Sequence, residues 1–303
     1  MTGRSNDVMT QPTNGVLIIN KPSGLTSHDV VHRVRGIVGQ RSVGHLGTLD
    51  PMATGVLPVV LGNMTRLAQF YLNSEKSYEG VIRFGVATDT YDAEGEPLGE
   101  PQALHLSFEQ LRKISSRFCG RIEQMPPPFS AKKIQGVPAY KLARKKKEVP
   151  LQAVQVEIKE FEILDLENEC AAFRTRVGSG TYVRSIAHEL GQLAGCGAHL
   201  QALCRTSVAE FSLNEGHTLD QLERAVRGGE LETVLVHPRK LLPNMPSVTA
   251  SDEIAARIRN GQAVNLPDLS RAPELKVFRG QRELICIATR IAGTLVHPKV
   301  VFT

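Results

Sequence analysis

Gly44-His45-Leu46-Gly47-Thr48-Leu49-Asp50-Pro51-Met52-Ala53-Thr54-Gly55-Val56-Leu57 is the densest loop signal in the chain. Its three glycines within twelve residues mark close backbone approach or unusual dihedrals. It holds one acid, Asp50, set between Leu49 and Pro51 among small and apolar residues, which would partly shield the carboxylate from water. A carboxylate so placed serves as a nucleophile or a base, and a nearby cation favours its charged form. An Asx-turn in which Asp50 only caps the chain before Pro51 explains the same residues, and spacing alone favours that plainer state.

Elements follow on either side. Residues 15–20 read as a short buried strand. Thr26 and Asp29 stand three apart as a capping box, Val30, Val31, Val34, Ile37 and Val38 follow at helical spacing, and Gly39 fits the stop. Residues 77–87 read as a strand, and 107–118 as a helix with Ser107 and Gln110 as its cap pair. Alternation at Val154, Val156 and Ile158, then a strand over 173–177, predicts a hairpin around 167–169. Val183, Ile186, Ala187, Leu190 and Leu193 mark a third helix, and residues 218–228 a fourth. Pro238, Pro243 and Pro246 break the pattern, and beyond them come a short helix at 251–260 and mostly short strands over 276–303. The class is α+β: a mixed sheet with flanking helices, then a small β-rich C-terminal unit.

Composition narrows the function classes. The 303 residues are 41% hydrophobic and 22% charged, which excludes a coiled coil, a collagen-like repeat and a mainly disordered chain. Lys plus Arg number 36 against 31 for Asp plus Glu, a net charge of +5 that permits a polyanionic partner without establishing one. Five cysteines without a C-x-x-C pair suit a reducing compartment. Residues 1–14 are polar, read as disordered, and lack the apolar stretch of a signal peptide. No apolar run approaches the length of a membrane span. Together these predict a cytoplasmic protein.

Two further stretches carry chemistry. Gly178-Ser179-Gly180-Thr181-Tyr182-Val183-Arg184 leads from a strand into a helix, where backbone N–H groups and Arg184 favour an anion; a tight turn with a surface arginine fits equally well. Residues 130–147 carry Lys132, Lys133, Lys141, Arg144, Lys145, Lys146 and Lys147, with Phe129 and Tyr140 nearby and no acid in the stretch. A solvated loop is the common state of a lysine run, but the missing acids shift the reading toward a phosphate backbone. Ser130-x-x-Lys133 lacks the companion elements of penicillin-recognising hydrolases. Cys196, His199 and Cys204 fit no common zinc spacing, and no phosphate-binding G-x-x-x-x-G-K-[ST] loop exists.

NKPSGLTS (20–27), GHLGTLDPMATGVLPV (44–59), PPPFSAKKIQGVPAYKLAR (126–144), GSGTYVRS (178–185) and GAHLQALCRT (197–206) together resemble the TruB family of tRNA pseudouridine-55 synthases. The resemblance runs in order from about residue 15 to 242. The tail, 246–303, is more weakly similar to the PUA-like RNA-binding domain of that family. The implied organisation is a disordered 1–14, a catalytic domain over 15–243 and a PUA-like domain over 246–303. The implied reaction is isomerisation of uridine in the tRNA T-loop, without cofactor or metal. A short chain without long Lys-rich extensions favours a stand-alone form over the dyskerin-like branch, which takes guide RNA and partner proteins, and a monomer that needs no protein partner and no membrane is the default expectation.

By the same matching, Asp50 is the implied catalytic aspartate, Tyr78 a tyrosine stacked on the target base, and Arg184 the arginine paired with the carboxylate. Leu203 would wall the uracil pocket, Asp92 would join the network around the arginine, and His45 would fill the space left by the extruded nucleotide. Lys21 lies in the KPxG turn, either touching substrate or shaping the turn. Lys132, Lys133 and Tyr140 would contact the RNA. The uracil N-glycosidic bond must break, the base rotate, and C5 rejoin C1′. Asp50 could attack C1′, add to the ring, or abstract a sugar proton. Cys204 departs from the two arginines usual after the pocket leucine, which implies the loss of one peripheral contact.

Overall fold

GVLIINK forms the first strand, β1 (Gly15–Lys21), and is apolar on both faces because both are covered. Val16 and Ile18 point into one apolar cluster, Leu17 and Ile19 into another. The computed structural model describes residues 13–130, 133–134, 137–138, 151–267 and 270–302, and the features below belong to those residues.

The strands continue as β2 (Val43–His45), β3 (Thr54–Leu61), β4 (Lys76–Phe84) and β5 (Gly120–Gln124). A small hairpin, β6 (Lys133–Ile134) and β7 (Val137–Pro138), stands apart as its own two-stranded sheet. Then come β8 (Val154–Glu167), β9 (Cys170–Val177), β10 (Ala198–Val208) and β11 (Phe211–Ser212). The large sheet has nine strands with the central order β1-β3-β10-β4-β9-β8-β5, β2 adding to β3 and β11 to β10. β3 and β10 run parallel; the other pairs run antiparallel. β12 (Ser247–Ala250), β13 (Val264–Asn265), β14 (Glu274–Arg279), β15 (Glu283–Ala292) and β16 (Leu295–Val301) make a second, five-stranded sheet in the order β12-β14-β15-β16-β13. This is the small β-rich, PUA-like unit that the sequence predicts.

Five helices of eight or more residues flank the sheets: α1 (Ser27–Val38), α2 (Phe108–Ser115), α3 (Val183–Ala194), α4 (Leu219–Arg227) and α5 (Asp252–Arg259). Thr26 with Asp29, Ser107 with Gln110, and Thr218 with Gln221 each form the complete reciprocal capping box, a feature worth about 1 kcal/mol apiece. Asn168 and Glu169, both at positive φ, make the tight turn between β8 and β9.

α2 and α3 cover one face of the large sheet, burying Leu111, Ile186 and Leu190 against Ile82, Phe161 and Phe173. α1 and α4 cover another part through Val30, Val34 and Leu222. A third cluster joins the two sheets: Phe278, Leu284, Ile287 and Phe302 pack with Val16, Ile18, Val60 and Phe211. The linker is also tied down, since the buried Lys276 ammonium donates to the Leu241 carbonyl at 2.6 Å.

Candidate active site

The loop between β2 and β3 is held from beneath by the turn at 21–27. Ser27 Oγ accepts from Leu49 N at 2.9 Å and lies 3.1 Å from Leu49 O. Ser23 Oγ donates to Met52 O at 3.0 Å, and Gly24 N to Pro51 O at 2.9 Å. Lys21 Nζ donates to the carbonyls of Pro51 at 3.0 Å, Pro22 at 2.8 Å and Leu25 at 2.7 Å. The backbone around Asp50 is thus fixed, while its side chain stays 33% exposed. Burial pulls Lys21 down to about 8, against the upward pull of Asp50. Of the two sequence readings of Lys21, the geometry is that of turn-shaping: at 0% exposure its three donors are spent on carbonyls.

Arg184 rises from the first turn of α3 and is buried. Its Nη2 donates to Asp50 Oδ1 at 3.0 Å, and Nε lies 2.8 Å from Oδ2. On its other side Nη1 lies 3.4 Å from Oδ2 of the buried Asp92 and donates to Thr90 O at 3.2 Å, while Nη2 also donates to Phe129 O at 3.2 Å. Asp92 Oδ1 accepts from Thr90 Oγ1 at 2.6 Å and Glu94 N at 3.1 Å. One buried guanidinium therefore sits between two carboxylates, each held in place, the arrangement a buried charge requires. The start of α3 is itself pinned: Gln124 accepts from Tyr182 N at 2.8 Å and donates to Tyr182 O at 3.1 Å. Of the two readings of residues 178–184, the surface arginine does not hold: Arg184 is buried, and the anion it meets is Asp50 of the same chain.

Tyr78 on β4 is buried, and burial pushes its phenol up, with Arg205 acting in the opposite direction. Tyr78, Leu203, Leu49 and Ala53 belong to one apolar cluster, so an aromatic ring and an aliphatic wall adjoin the loop that carries Asp50. His45, at the start of that loop, packs edge-on against His28 with centroids 5.8 Å apart. Among the described residues its buried Nδ1 meets no partner at hydrogen-bonding geometry, and burial lowers its proton affinity, aided by His28 and Arg205 and opposed by the Gly47 backbone.

The structure brings Asp50, Arg184 and Asp92 into contact, with Tyr78 and Leu203 in the adjoining apolar cluster. Lys132 and Tyr140 lie outside the described residues, as does the side chain of Lys133. Among the described residues no three His, Cys, Asp or Glu side chains gather as a metal site. Sequence reasoning missed Ser27, Gln124 and Arg205. Arg205, passed over as the survivor of a peripheral pair, is fully buried beneath the loop. Ser27 and Arg205 had a visible signal, their places inside the NKPSGLTS and GAHLQALCRT runs, and Gln124 had none.

The mixed nine-stranded sheet, with Asp50 on its glycine-rich loop paired to Arg184, and the five-stranded sheet after it recur in solved structures of the pseudouridine synthase fold. A solved H/ACA RNP bound to a substrate RNA containing 2'-deoxyuridine has a chain that matches at TM-score 0.71 and 23% identity, covering 95% of this chain and 85% of that one. A Cbf5-Nop10-Gar1 complex matches at TM-score 0.70 and 25% identity, with 95% and 85% covered. The chain belongs to the TruB family of pseudouridylate synthases. Residues 35–183 match the model of the TruB family pseudouridylate synthase N-terminal domain, and residues 184–242 that of the tRNA pseudouridylate synthase B C-terminal domain. The tRNA pseudouridine synthase B of Solibacter usitatus is 46% identical over 95% of this chain and 99% of that protein. That of Geotalea uraniireducens is 42% identical over 93% and 90%. The division between the two family models falls inside α3, between Val183 and Arg184, and so cuts one continuous sheet-and-helix layer.

Proposed function

We propose that this chain converts uridine to pseudouridine at position 55 of the tRNA T-loop, acting as a monomer in the cytoplasm without cofactor, metal or obligatory protein partner. The observation that carries the reading is the partly exposed Asp50 carboxylate gripped by the buried Arg184 fork, beside the Tyr78 and Leu203 cluster. Asp50 is the catalytic group, through one of the three routes open to a carboxylate. Arg184 holds its direction, Asp92 holds Arg184, and Tyr78 and Leu203 receive the base. The glycosidic carbon is inaccessible inside a folded loop, so the nucleotide must be extruded, at a cost on the order of a few kcal/mol; His45 stands in for it in the emptied loop. The basic stretch at 130–147, with Lys132, Lys133 and Tyr140, grips the RNA backbone. In this reading residues 15–243 are the catalytic unit and 246–303 an RNA-binding unit.

The test is incubation with an unmodified tRNA transcript in EDTA, followed by carbodiimide mapping of pseudouridine. A single new stop at position 55, absent with Asp50→Asn, is the expected result. Retention of tRNA on a filter with no stop would leave an RNA-binding protein without this chemistry.

A further inference from the structure

Arg205 has no part in the reading above, yet it heads the large side chains that the structure hides completely, at 0% exposure. Its charge meets carbonyls rather than a carboxylate: Nη2 donates to Gly47 O at 3.1 Å, Nη1 to Thr48 O at 3.0 Å and Nε to Val56 O at 2.8 Å. Gly47 and Thr48 precede Asp50 and Val56 follows it, so one planar fork ties the two ends of the loop together at its base. Arg205 is also the cross-strand partner of Tyr78 in the β4–β10 pair, and its charge opposes the burial that pushes the phenol up. On the other side its backbone pairs with Gly55, where a side-chain carbon would overlap the Arg205 carbonyl oxygen. A buried cation is a poor choice for stability alone, since apolar replacements of buried charges are often neutral or stabilising.

We propose that Arg205 is a positioning residue for the isomerisation: its fork holds the Asp50 loop closed and, from the facing position on the neighbouring strand, fixes where Tyr78 stands relative to that loop. The spacing between carboxylate and ring then survives entry of the nucleotide. The inference rests on the role proposed above for Asp50. A lysine would keep the charge but lose the planar fork that reaches three carbonyls, so it is a poor substitute.

The test compares Arg205→Lys, Arg205→Gln, Tyr78→Phe, Arg205→Lys with Tyr78→Phe, and Asp50→Asn in the full chain. Single-turnover pseudouridine formation, tRNA Kd and Tm are measured for each. Both Arg205 variants are expected to remain folded at the assay temperature, with tRNA Kd within about threefold of the parent and the rate down about 100-fold. In the Tyr78→Phe background the Arg205→Lys loss should shrink, because the two side chains act as one unit. A rate within about threefold of the parent, strictly additive losses, or failure of both variants to fold would each overturn the proposal. An inactive Asp50→Asn beside an active Arg205→Lys overturns the Arg205 role alone. An active Asp50→Asn removes the reading on which it rests.

Discussion

The ammonium of Lys21 donates to the carbonyl of Pro51 at 3.0 Å, one residue past Asp50, and the turn that carries Lys21 also holds Leu49 and Met52. The KPSGLTS turn and the GTLDP loop are thus two halves of one structure. Lys21→Met keeps the length of the side chain and removes every donor. It should destabilise the fold by about 1–3 kcal/mol, the penalty for stranded buried acceptors, and slow catalysis with little change in tRNA affinity. Urea midpoints and single-turnover rates check both.

The same lysine makes stability depend on pH. Its folded value is near 8 and its ordinary value 10.5. Below about 8 it is charged in both states, and the burial penalty is fully present. Between 8 and 10.5 the folded state releases the proton first, so this group adds stability as pH rises. The difference between the parent's urea midpoint and that of Lys21→Met should therefore widen from pH 7.5 to pH 9.5. A constant difference would mean that Lys21 does not titrate in that window.

Asp92 reaches the chemistry only through Arg184, whose Nη1 lies 3.4 Å away. Asp92→Asn removes a charge but keeps an amide that can still meet Thr90, so the rate should fall on the order of 10-fold. Arg184→Lys loses the fork itself and should fall on the order of 100-fold. Single-turnover rates with saturating tRNA separate the two. A loss for Arg184→Lys no larger than that for Asp92→Asn would mean that the charge of Arg184, and not its planar fork, does the work.

What the sequence revealed unaided was local. The capping boxes at Thr26 and Ser107 and the turn at Asn168 depend on residues three apart or fewer, so their pattern survives in the chain; the box of Thr218 with Gln221 is just as local but was not read. β3 went unread as a strand because Pro58 interrupts an apolar run, and a proline inside a run argues against a central strand. β10 went unread because register shifts after Leu200 and Arg205 break its two-residue alternation. The pairing of Asp50 with Arg184 spans 134 residues, and no periodicity reports it. Only the resemblance placed those two together. The contacts of Arg205 and Gln124 stayed hidden because their partners are backbone groups, which leave no mark on side-chain spacing.

The two sheets share an apolar cluster, and Phe302, 2% exposed, sits in it at the end of the described chain. Phe302→Ala should cost about 3–5 kcal/mol. Because the cluster spans both sheets, unfolding should remain one transition whether followed by far-ultraviolet circular dichroism or by tyrosine fluorescence. Two separated transitions in the variant would show that the β14–β16 unit melts by itself.

Two helix glycines should respond to alanine with opposite signs. Gly36 in α1 has nothing within 4 Å of where a Cβ would stand. Gly36→Ala should therefore stabilise by about 0.4–1 kcal/mol, through the unfolded chain. Gly191 in α3 sits against Ala198 so closely that a Cβ would overlap Ala198 N. The same substitution there should destabilise by about 1–3 kcal/mol, because α3 must move off β10. α3 carries Arg184, so that movement also shifts the fork away from Asp50. Gly191→Ala should lose activity out of proportion to its stability at a temperature where it is fully folded, while Gly36→Ala should keep it. Equal activity in the two variants would show that the Arg184–Asp50 pair tolerates displacement of its helix.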